Sequence, residues 1–135
     1  EAGLKASIEV VGESFSVDNG YMETLKLIQK RKIDRPTAIF ALNNAITMGA
    51  IRAIKESGLS IPDDISIIAF DNYEYMDYID PPIIRVCQPV NDMAKIAAKL
   101  LFSRIENPQS GSNSQIIMTP NITSGGSVKK IVNQR

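Results

Sequence analysis

Apolar residues along the chain fall into short continuous runs, separated by longer segments in which apolar positions recur at helical spacing. The short runs predict strands at residues 7–13, 37–42, 65–70, 83–89 and 115–120, with a further short strand around Val128 to Val132. Runs of this kind, bounded by turn residues, are typical of parallel strands that are buried on both faces.

The segments between these runs predict helices at residues 18–32, 45–57 and 90–106. Asp18 is a candidate N-cap for the first helix, and either Asn43 or Asn44 for the second, which we expect to end at Gly58. Strands that alternate with helices of this length indicate an α/β fold with a largely parallel sheet flanked by helices.

Composition narrows the class of protein further. The chain has 135 residues, 44% of them hydrophobic, and its 15 basic residues balance its 15 acidic ones. A neutral chain of this size fits one compact domain or a piece of a larger one, and it lacks the basic excess of a DNA-binding domain. We find neither a run long enough to span a bilayer nor a signal-peptide pattern, and because residue 1 is not Met we expect a piece of a longer protein.

The chain lacks several of the residue types that catalysis and metal binding commonly use. The chain has no histidine, and Cys87 is its one cysteine, so it offers neither a Ser-His-Asp or Cys-His triad nor a structural zinc site. It has no GxGxxG or P-loop motif, and the SGG at 124–126 precedes no helix, so we interpret it as a turn. Asp71 could be the phosphorylated residue of a receiver domain, but the acidic pair and lysine that a receiver needs are missing. We therefore expect no enzyme, no cofactor and no metal.

Polar and aromatic side chains follow the first three predicted strands. Phe15 follows the first, Asn43 and Asn44 the second, and Asp71 the third. Parallel α/β sheets bind ligands beyond the carboxyl ends of their strands. A carboxylate, carboxamides and an aromatic ring suit a polyhydroxylated ligand such as a sugar. Each residue also has a simpler interpretation: either Asn as a helix cap, Asp71 as the start of a turn, and Phe15 as part of the core.

The helix predicted at 45–57 has two apolar faces. One can pack on the sheet, through Ile46, Ala50, Ala53 and Ile54. Met48 and Ile51 then point elsewhere, beside Arg52 and Lys55. A second apolar face indicates either a subunit interface, which we favour, or a further packing element.

Several motifs in fixed order closely resemble the effector domain of the LacI/GalR (lactose-repressor/galactose-repressor) family. They are PTAIF before an Asn, a GAxRAxxxxGLxIPxDIS segment, an FDN strand end, a PP pair, and VxQP before a long helix. Together they cover more than half of the chain, and the opening residues also look like the segment that precedes this block in the family.

The resemblance implies a periplasmic-binding-protein-like type I fold, in which effector binds between two α/β subdomains joined by three crossovers. Residues 1–82 then correspond to the C-terminal subdomain, 83–115 to a crossover strand and a helix of the N-terminal subdomain, and 116–135 to a return strand and tail. The helix-turn-helix headpiece that binds operator DNA lies outside this chain.

The function that the resemblance implies is that of a dimeric, cytoplasmic transcriptional repressor whose operator affinity changes when a sugar or sugar derivative binds. The alternative is a sugar-binding receptor of an ABC transporter with the same fold. The VxQP crossover and the second apolar face of the 45–57 helix favour the regulator, because such receptors work as monomers.

The resemblance also matches individual residues of this chain to functional positions of the family. Phe15 matches the family's aromatic that stacks on the effector, and Asn43 and Asp71 match its effector-contacting residues. Positions of its dimer interface are occupied by Met48, Ile51, Tyr78 and Ile79. The chain also departs from the family. Asn44 replaces the usual Asp, and Ile84, Arg85 and Cys87 differ from the Thr-Thr-x-Arg/Lys pattern of the family's crossover, so the hinge departs from the family in polarity.

Overall fold

The computed structural model describes residues 11–108 and 115–130, which form a four-stranded mixed sheet with helices. In chain order the elements are α1 (Val17–Ile28), β1 (Ala38–Ala41), α2 (Asn44–Glu56), β2 (Ser66–Phe70), a short 3-10 helix (Glu74–Asp77), β3 (Ile84–Cys87), α3 (Val90–Glu106) and β4 (Asn121–Ile122). The strands lie side by side in the order β1-β2-β3-β4. The first three are parallel, and β4 is antiparallel to β3.

The predicted α/β alternation is confirmed for β1, α2, β2, β3 and α3, and the boundaries differ elsewhere. The N-cap of α1 is Ser16 rather than Asp18, because the Ser16 side chain accepts a hydrogen bond from the backbone N–H of Asn19. This helix ends at Ile28, four residues before its predicted end. Gly58 does end α2, in the left-handed conformation with φ +69°.

Three predicted strands need separate comment. Residues 7–10 of the first lie outside the described residues, and 11–13 form no strand. The strand predicted at 115–120 is wrong, because pairing with β3 takes place directly after it, at Asn121–Ile122. Residues 128–130 form no strand, and 131–132 lie outside the described residues.

The hydrophobic core lies between one face of the sheet and α2. Ile67 and Ala69 of β2 point into it, together with Ala50 and Ile54 of α2, and all four are fully buried. The alternation along β2 leaves Ile68 and Phe70 on the opposite face, where they are only partly buried. Within the described residues, α2 therefore covers one face of the sheet, and α1 packs against α2.

The helices α1 and α2 cross at two glycines. A Cβ on Gly49 would lie 2.5 Å from the backbone nitrogen of Tyr21 and would overlap the carbonyl oxygen of Val17. A Cβ on Gly20 would lie 2.5 Å from the carbonyl oxygen of Ile46. Because glycine has no Cβ, the two backbones approach more closely than any other pair of residues would allow.

The segment after β4 closes the amino end of the sheet. The fully buried Ser127 accepts a hydrogen bond from the Ile84 N–H at 2.9 Å and donates one to the Ile67 carbonyl at 2.7 Å. The SGG motif just before it is confirmed as a turn, whose Gly126 N–H donates to the Pro82 carbonyl. A single hydroxyl therefore satisfies backbone groups of both β2 and β3 where the strands diverge.

The helix α3 differs from α1 and α2 in that it contributes no buried side chain. None of its 17 residues is buried. Its large exposed side chains include Val90, Leu101, Phe102 and Ile105, which are between 59% and 64% exposed. None of the helices in the described parts of the chain combines the length and hydrophobicity that crossing a membrane requires.

Candidate functional site

The sheet brings three strand ends together at one rim. Ala41 of β1 is paired with Ala69 of β2, and Phe70 of β2 is paired with Val86 of β3. Since these strands are parallel and in register, the residues that follow them lie at the same edge. The rim therefore collects Asn43 and Asp71, as the strand-end rule predicts, and it also includes Gln88, which follows β3.

Asp71 has an unusual backbone conformation at this rim. Its φ of +80° makes it the one non-glycine residue with positive φ among the described residues. Such a conformation costs about 1–2 kcal/mol for a residue with a Cβ, and it persists where the surrounding structure fixes it. Here the Asp71 N–H donates to the carbonyl of Val86 at 3.0 Å, which fixes the start of the loop that follows β2.

The Asp71 carboxylate is held from β3. Gln88 donates a hydrogen bond from Nε2 to Asp71 Oδ1 at 2.7 Å. Gln88 also lines a pocket of about 270 Å³ together with Phe70, Pro89 and Met93, and the remaining lining residues are Ile116, Met118 and Pro120. Gln88, which hydrogen-bonds to the Asp71 carboxylate, thus lines a small, mainly apolar pocket at the carboxyl ends of the strands, whereas Asp71 itself does not line it.

The two asparagines after β1 have different environments. Asn43 is the N-cap of α2, because its Oδ1 accepts a hydrogen bond from the Ile46 N–H at 2.8 Å. Asn44, the first residue of the helix, has a buried Oδ1 without a hydrogen-bond partner among the described residues. Capping therefore occupies the oxygen of Asn43, and the neighbouring amide carries the unsatisfied acceptor.

Phe15 lies just before the N-cap of α1. Its side chain is 72% exposed, so the interpretation of Phe15 as a core residue is wrong for the described part of the chain. Val17, two residues later, contacts α2 at Gly49. An aromatic ring at this place is accessible to a ligand, and its prediction as a stacking residue stays a prediction.

A buried arginine lies directly behind the rim. Arg85 is 3% exposed, and its guanidinium donates two hydrogen bonds to the Asp77 carboxylate and one to Asn72 Oδ1. The bonds from Arg85 hold the pKa of Asp77 below its usual value, because they stabilise the ionised carboxylate. Sequence reasoning treated Arg85 only as a departure at the crossover.

The predicted interface residues on α2 divide into two groups. Ile51 is 5% exposed and belongs to the core cluster, so the prediction that it points away from the sheet is wrong. Met48 is 38% exposed, and Arg52 and Lys55 are also exposed. Since residues three and four apart share a side of a helix, Ile51 lies between the fully buried Thr47 and Ile54 on the buried side of α2.

Arg52 also has partners within the chain. Its Nε donates to Glu56 at 2.8 Å, and its guanidinium lies 4.8 Å from the centre of the Tyr21 ring. The Tyr21 hydroxyl donates to the other Glu56 oxygen at 2.9 Å. Because Arg52 and Tyr21 both donate to it, the pKa of the Glu56 carboxyl is lowered. This cluster joins the exposed edges of α1 and α2.

The two interface residues predicted in the 71–82 loop also differ in exposure. Tyr78 is 87% exposed, whereas Ile79 is partly buried against the core cluster. Tyr78 therefore offers an outward-facing aromatic surface, while Ile79 contributes partly to the packing of its own chain.

A second pocket lies at the opposite, amino ends of the strands. It has a volume of about 360 Å³ and is lined by Thr37, Pro62, Asp63, Asp64, Ser66, Lys129 and Lys130. An ion pair between Lys129 and Asp63 spans 2.8 Å there. Although this pocket is larger, it contains none of the rim residues and lies at the end of the sheet that α/β proteins do not use for ligands.

Gln88 could have been found from the sequence. It follows the fourth predicted extended segment as Asp71 follows the third, and the strand-end rule extends to it directly. For Arg85 the sequence carries a weaker signal, since an arginine within an apolar strand needs a carboxylate partner, but several acidic residues of the 71–82 loop satisfy that condition equally well.

Comparison with known proteins agrees with this geometry. A family model described as a periplasmic binding protein-like domain matches residues 1–128. The chain is 36% identical over 99 residues to the ribose operon repressor of Haemophilus influenzae, covering 73% of this chain and 29% of that protein. It is 38% identical over 130 residues to the HTH-type transcriptional repressor PurR of Pasteurella multocida, covering 96% of this chain and 38% of that protein.

The chain is also similar to a solved structure of a transcription regulator. The LacI family transcriptional regulator from Enterococcus faecium with bound ribose superposes with a TM-score of 0.77 and 31% identity, over 88% of this chain and 42% of that one. The chain thus spans less than half the length of each of these relatives.

The fold and the matched residues define a periplasmic-binding-protein-like domain. The chain belongs to that family, and within it to the effector-binding domains of the LacI/GalR transcription regulators.

Proposed function

We propose that this chain is the C-terminal part of the effector-sensing and dimerisation module of a DNA-binding transcriptional repressor in the cytoplasm. A sugar or sugar derivative binds at the rim, and its binding changes operator affinity through a helix-turn-helix domain elsewhere in the full-length protein. The observation that carries this proposal is the Asp71 carboxylate, fixed by Gln88 beside a pocket at the strand ends. The kinship with curated repressors favours the regulator over the transport receptor.

The rim residues have distinct roles in this proposal. Gln88 occupies one oxygen of Asp71, so the other oxygen accepts hydrogen bonds from ligand hydroxyls. The exposed ring of Phe15 covers the apolar face of the sugar. Asn44 contacts the ligand through its NH₂ group, because its Oδ1 is buried, and Asn43 positions α2 while its own NH₂ group is available to the ligand.

We further propose that residues 1–82 form the C-terminal subdomain and that residues 83–115 cross to an N-terminal subdomain, beginning with β3, which is still paired with β2 in the sheet of the first subdomain. The exposure of α3 supports this division, because a 17-residue helix with apolar residues on its surface needs a packing partner. Residues 116–135 then return to the first subdomain, which agrees with the pairing of β4 on β3 and the burial of Ser127.

Dimerisation is proposed to use the exposed residues of α2 and of the 71–82 loop. Met48, Arg52 and Lys55 supply the helix surface, and Tyr78 with the outer part of Ile79 supplies the loop surface. Ile51 supports this surface from inside the chain.

The decisive experiment compares effector responses of two aspartate variants of the full-length protein. D-Ribose is the first probe, because ribose is bound in a related structure, followed by a panel of hexoses, sugar acids and sugar phosphates. Release of an operator duplex selected from random DNA is measured by fluorescence anisotropy. We expect Asp71→Ala to abolish the response and to leave operator binding intact.

Asp63→Ala is the matched control, since Asp63 is an exposed aspartate at the opposite end of the sheet. It should respond like the wild type. An Asp71→Ala protein that still releases DNA at the wild-type ligand concentration would show that Asp71 is not the effector-binding carboxylate.

A further inference from the structure

Arg85 lies in an unusual place for a charged side chain. It is in the middle strand pair, opposite Ala69 in the register, and Ala69 is fully buried in the core. Residues paired across neighbouring strands share a face of the sheet, so Arg85 points towards the face that α2 covers. A guanidinium that is 3% exposed remains there only if its donors are satisfied.

The donors of Arg85 all reach the segment between β2 and β3. Nε donates to Asn72 Oδ1 at 2.7 Å, and Nη1 and Nη2 donate to the two oxygens of Asp77 at 2.9 and 3.0 Å. Nη1 also makes a longer bond to the Ile83 carbonyl at 3.3 Å. The pairing with Asp77 is bidentate, which fixes orientation as well as distance.

These contacts fix the loop at several points. Asn72 directly follows Asp71, and Asp77 directly precedes Tyr78. Between them, the Met76 side chain is fully buried and its carbonyl accepts a hydrogen bond from the Ile83 N–H. One guanidinium therefore binds both the start of the loop, at the effector rim, and its centre, next to the exposed tyrosine.

We propose that Arg85 is a positioning residue that fixes the 71–82 loop and thereby holds the rim residue Asp71 and the outward-facing Tyr78 in one rigid unit. A threonine, which the LacI/GalR resemblance leads one to expect here, has a side chain too short to reach both Asn72 and Asp77. The proposed roles of Asp71 in effector binding and of Tyr78 in dimerisation rest on the proposed function, whereas the ordering of the loop by Arg85 does not.

Hydrogen–deuterium exchange of the full-length protein tests the ordering directly. In Arg85→Met, whose side chain fills similar space without donors, we expect peptides from 71–82 to exchange about tenfold faster or more, while peptides from β1 and β2 keep their wild-type rates. Asp77→Asn removes the bidentate acceptor from an exposed position, so it should loosen the same peptides without threatening the fold. The control Arg52→Met removes an exposed arginine that pairs with Glu56, and it should change nothing in the loop.

Two results would overturn the proposal. One is a loop that exchanges at the wild-type rate in both Arg85→Met and Asp77→Asn. The other is a rise that is uniform over all segments, because that is what general destabilisation produces and what a positioning residue does not.

Calorimetric titration with D-ribose measures the consequence at the rim. We expect Arg85→Met to weaken binding about tenfold, Asp77→Asn to weaken it less, and the double variant to lose no more than Arg85→Met alone, because both remove one interaction. Unchanged affinity in Arg85→Met, with binding abolished in Asp71→Ala, would reject the link to the rim and leave the proposed function standing. A wild-type protein that binds neither D-ribose nor the panel would count against the proposed function, while the exchange measurement still decides whether Arg85 orders the loop.

Discussion

Gln88 donates a 2.7 Å hydrogen bond to Asp71, and this bond joins the ends of β2 and β3 at the rim of the candidate effector site. Asp71 has a left-handed backbone conformation, and Gln88 is followed by Pro89, the N-cap of α3. The contact therefore connects the carboxylate that follows β2 with the segment that leads into α3.

Replacing Gln88 tests this connection. In Gln88→Ala the carboxylate loses its charge-assisted partner and becomes free to rotate, so we expect effector affinity to fall about five- to tenfold. Titration calorimetry of the full-length protein with D-ribose measures the change. Gln29→Ala is a suitable control, because Gln29 is an exposed glutamine at the end of α1. Affinity that is equal in both variants would show that the amide does not position Asp71.

The Asp77–Arg85 pair makes stability depend on pH in the acid range. Since hydrogen bonds from Arg85 lower the pKa of Asp77 in the folded protein, the stabilisation is complete above the ordinary aspartate pKa of about 3.9 and is lost as the pH falls through the lower folded value. We expect the difference in urea midpoint between the wild type and Asp77→Asn to be largest above about pH 5 and to shrink below pH 4. A difference that stays constant from pH 7 to pH 2.5 would contradict this assignment.

The exposed face of α2 predicts a dimer that depends on Met48. Met48→Asp places a charge on a surface that we propose to be buried between subunits, so the dimer dissociation constant should rise about tenfold or more. Sedimentation equilibrium of the full-length protein provides the measurement. Lys26→Asp, at an exposed position near the end of α1, introduces the same side chain away from this surface. If both variants dimerise like the wild type, the interface lies elsewhere.

The crossing of α1 and α2 predicts a specific sensitivity at Gly49. A methyl group there overlaps the backbone of α1, so Gly49→Ala should lower the free energy of unfolding by about 1–3 kcal/mol. Gly58→Asn is the comparison, because Gly58 has positive φ and open space around it, and asparagine tolerates that conformation. We expect Gly58→Asn to change the free energy of unfolding by less than about 1 kcal/mol. Urea unfolding that ranks the two variants in the opposite order would refute the close approach of the helices.

The hydrophobic pattern was sufficient to predict most elements of the fold. Continuous apolar runs identify β1 and β2, but the expected burial on both faces is wrong for β1, which is an edge strand of the described sheet with only Ala41 buried, whereas β2 is buried on one face and partly buried on the other. Apolar residues at helical spacing identify α2 and α3, because this pattern depends only on residues that are close together in the sequence. The pattern fails at residues 115–120, where an apolar run gives no strand and the pairing starts at Asn121 instead. Pairing register depends on the neighbouring strand, which a local pattern does not describe.

Only part of the candidate site was predicted from the sequence. Asn43 and Asp71 were found because strand ends converge by topology alone, and Gln88 was missed because the rule was not carried to the last parallel strand. The direction of Ile51 was wrong because a helix face is set by what packs against it: the core extends far enough around α2 to include this residue. Which positions of a helix belong to the core is therefore decided by tertiary packing.

The amino-acid sequence is sufficient to predict the alternation of strands and helices, the family resemblance and the set of polar residues at the strand ends. These features depend on local spacing and on residue identity. The tertiary structure decided which of those residues touch: Gln88 with Asp71, and Arg85 with Asn72 and Asp77. Contacts between separate segments depend on strand register and on the direction of each side chain, and both are fixed only when the sheet and its loops pack together.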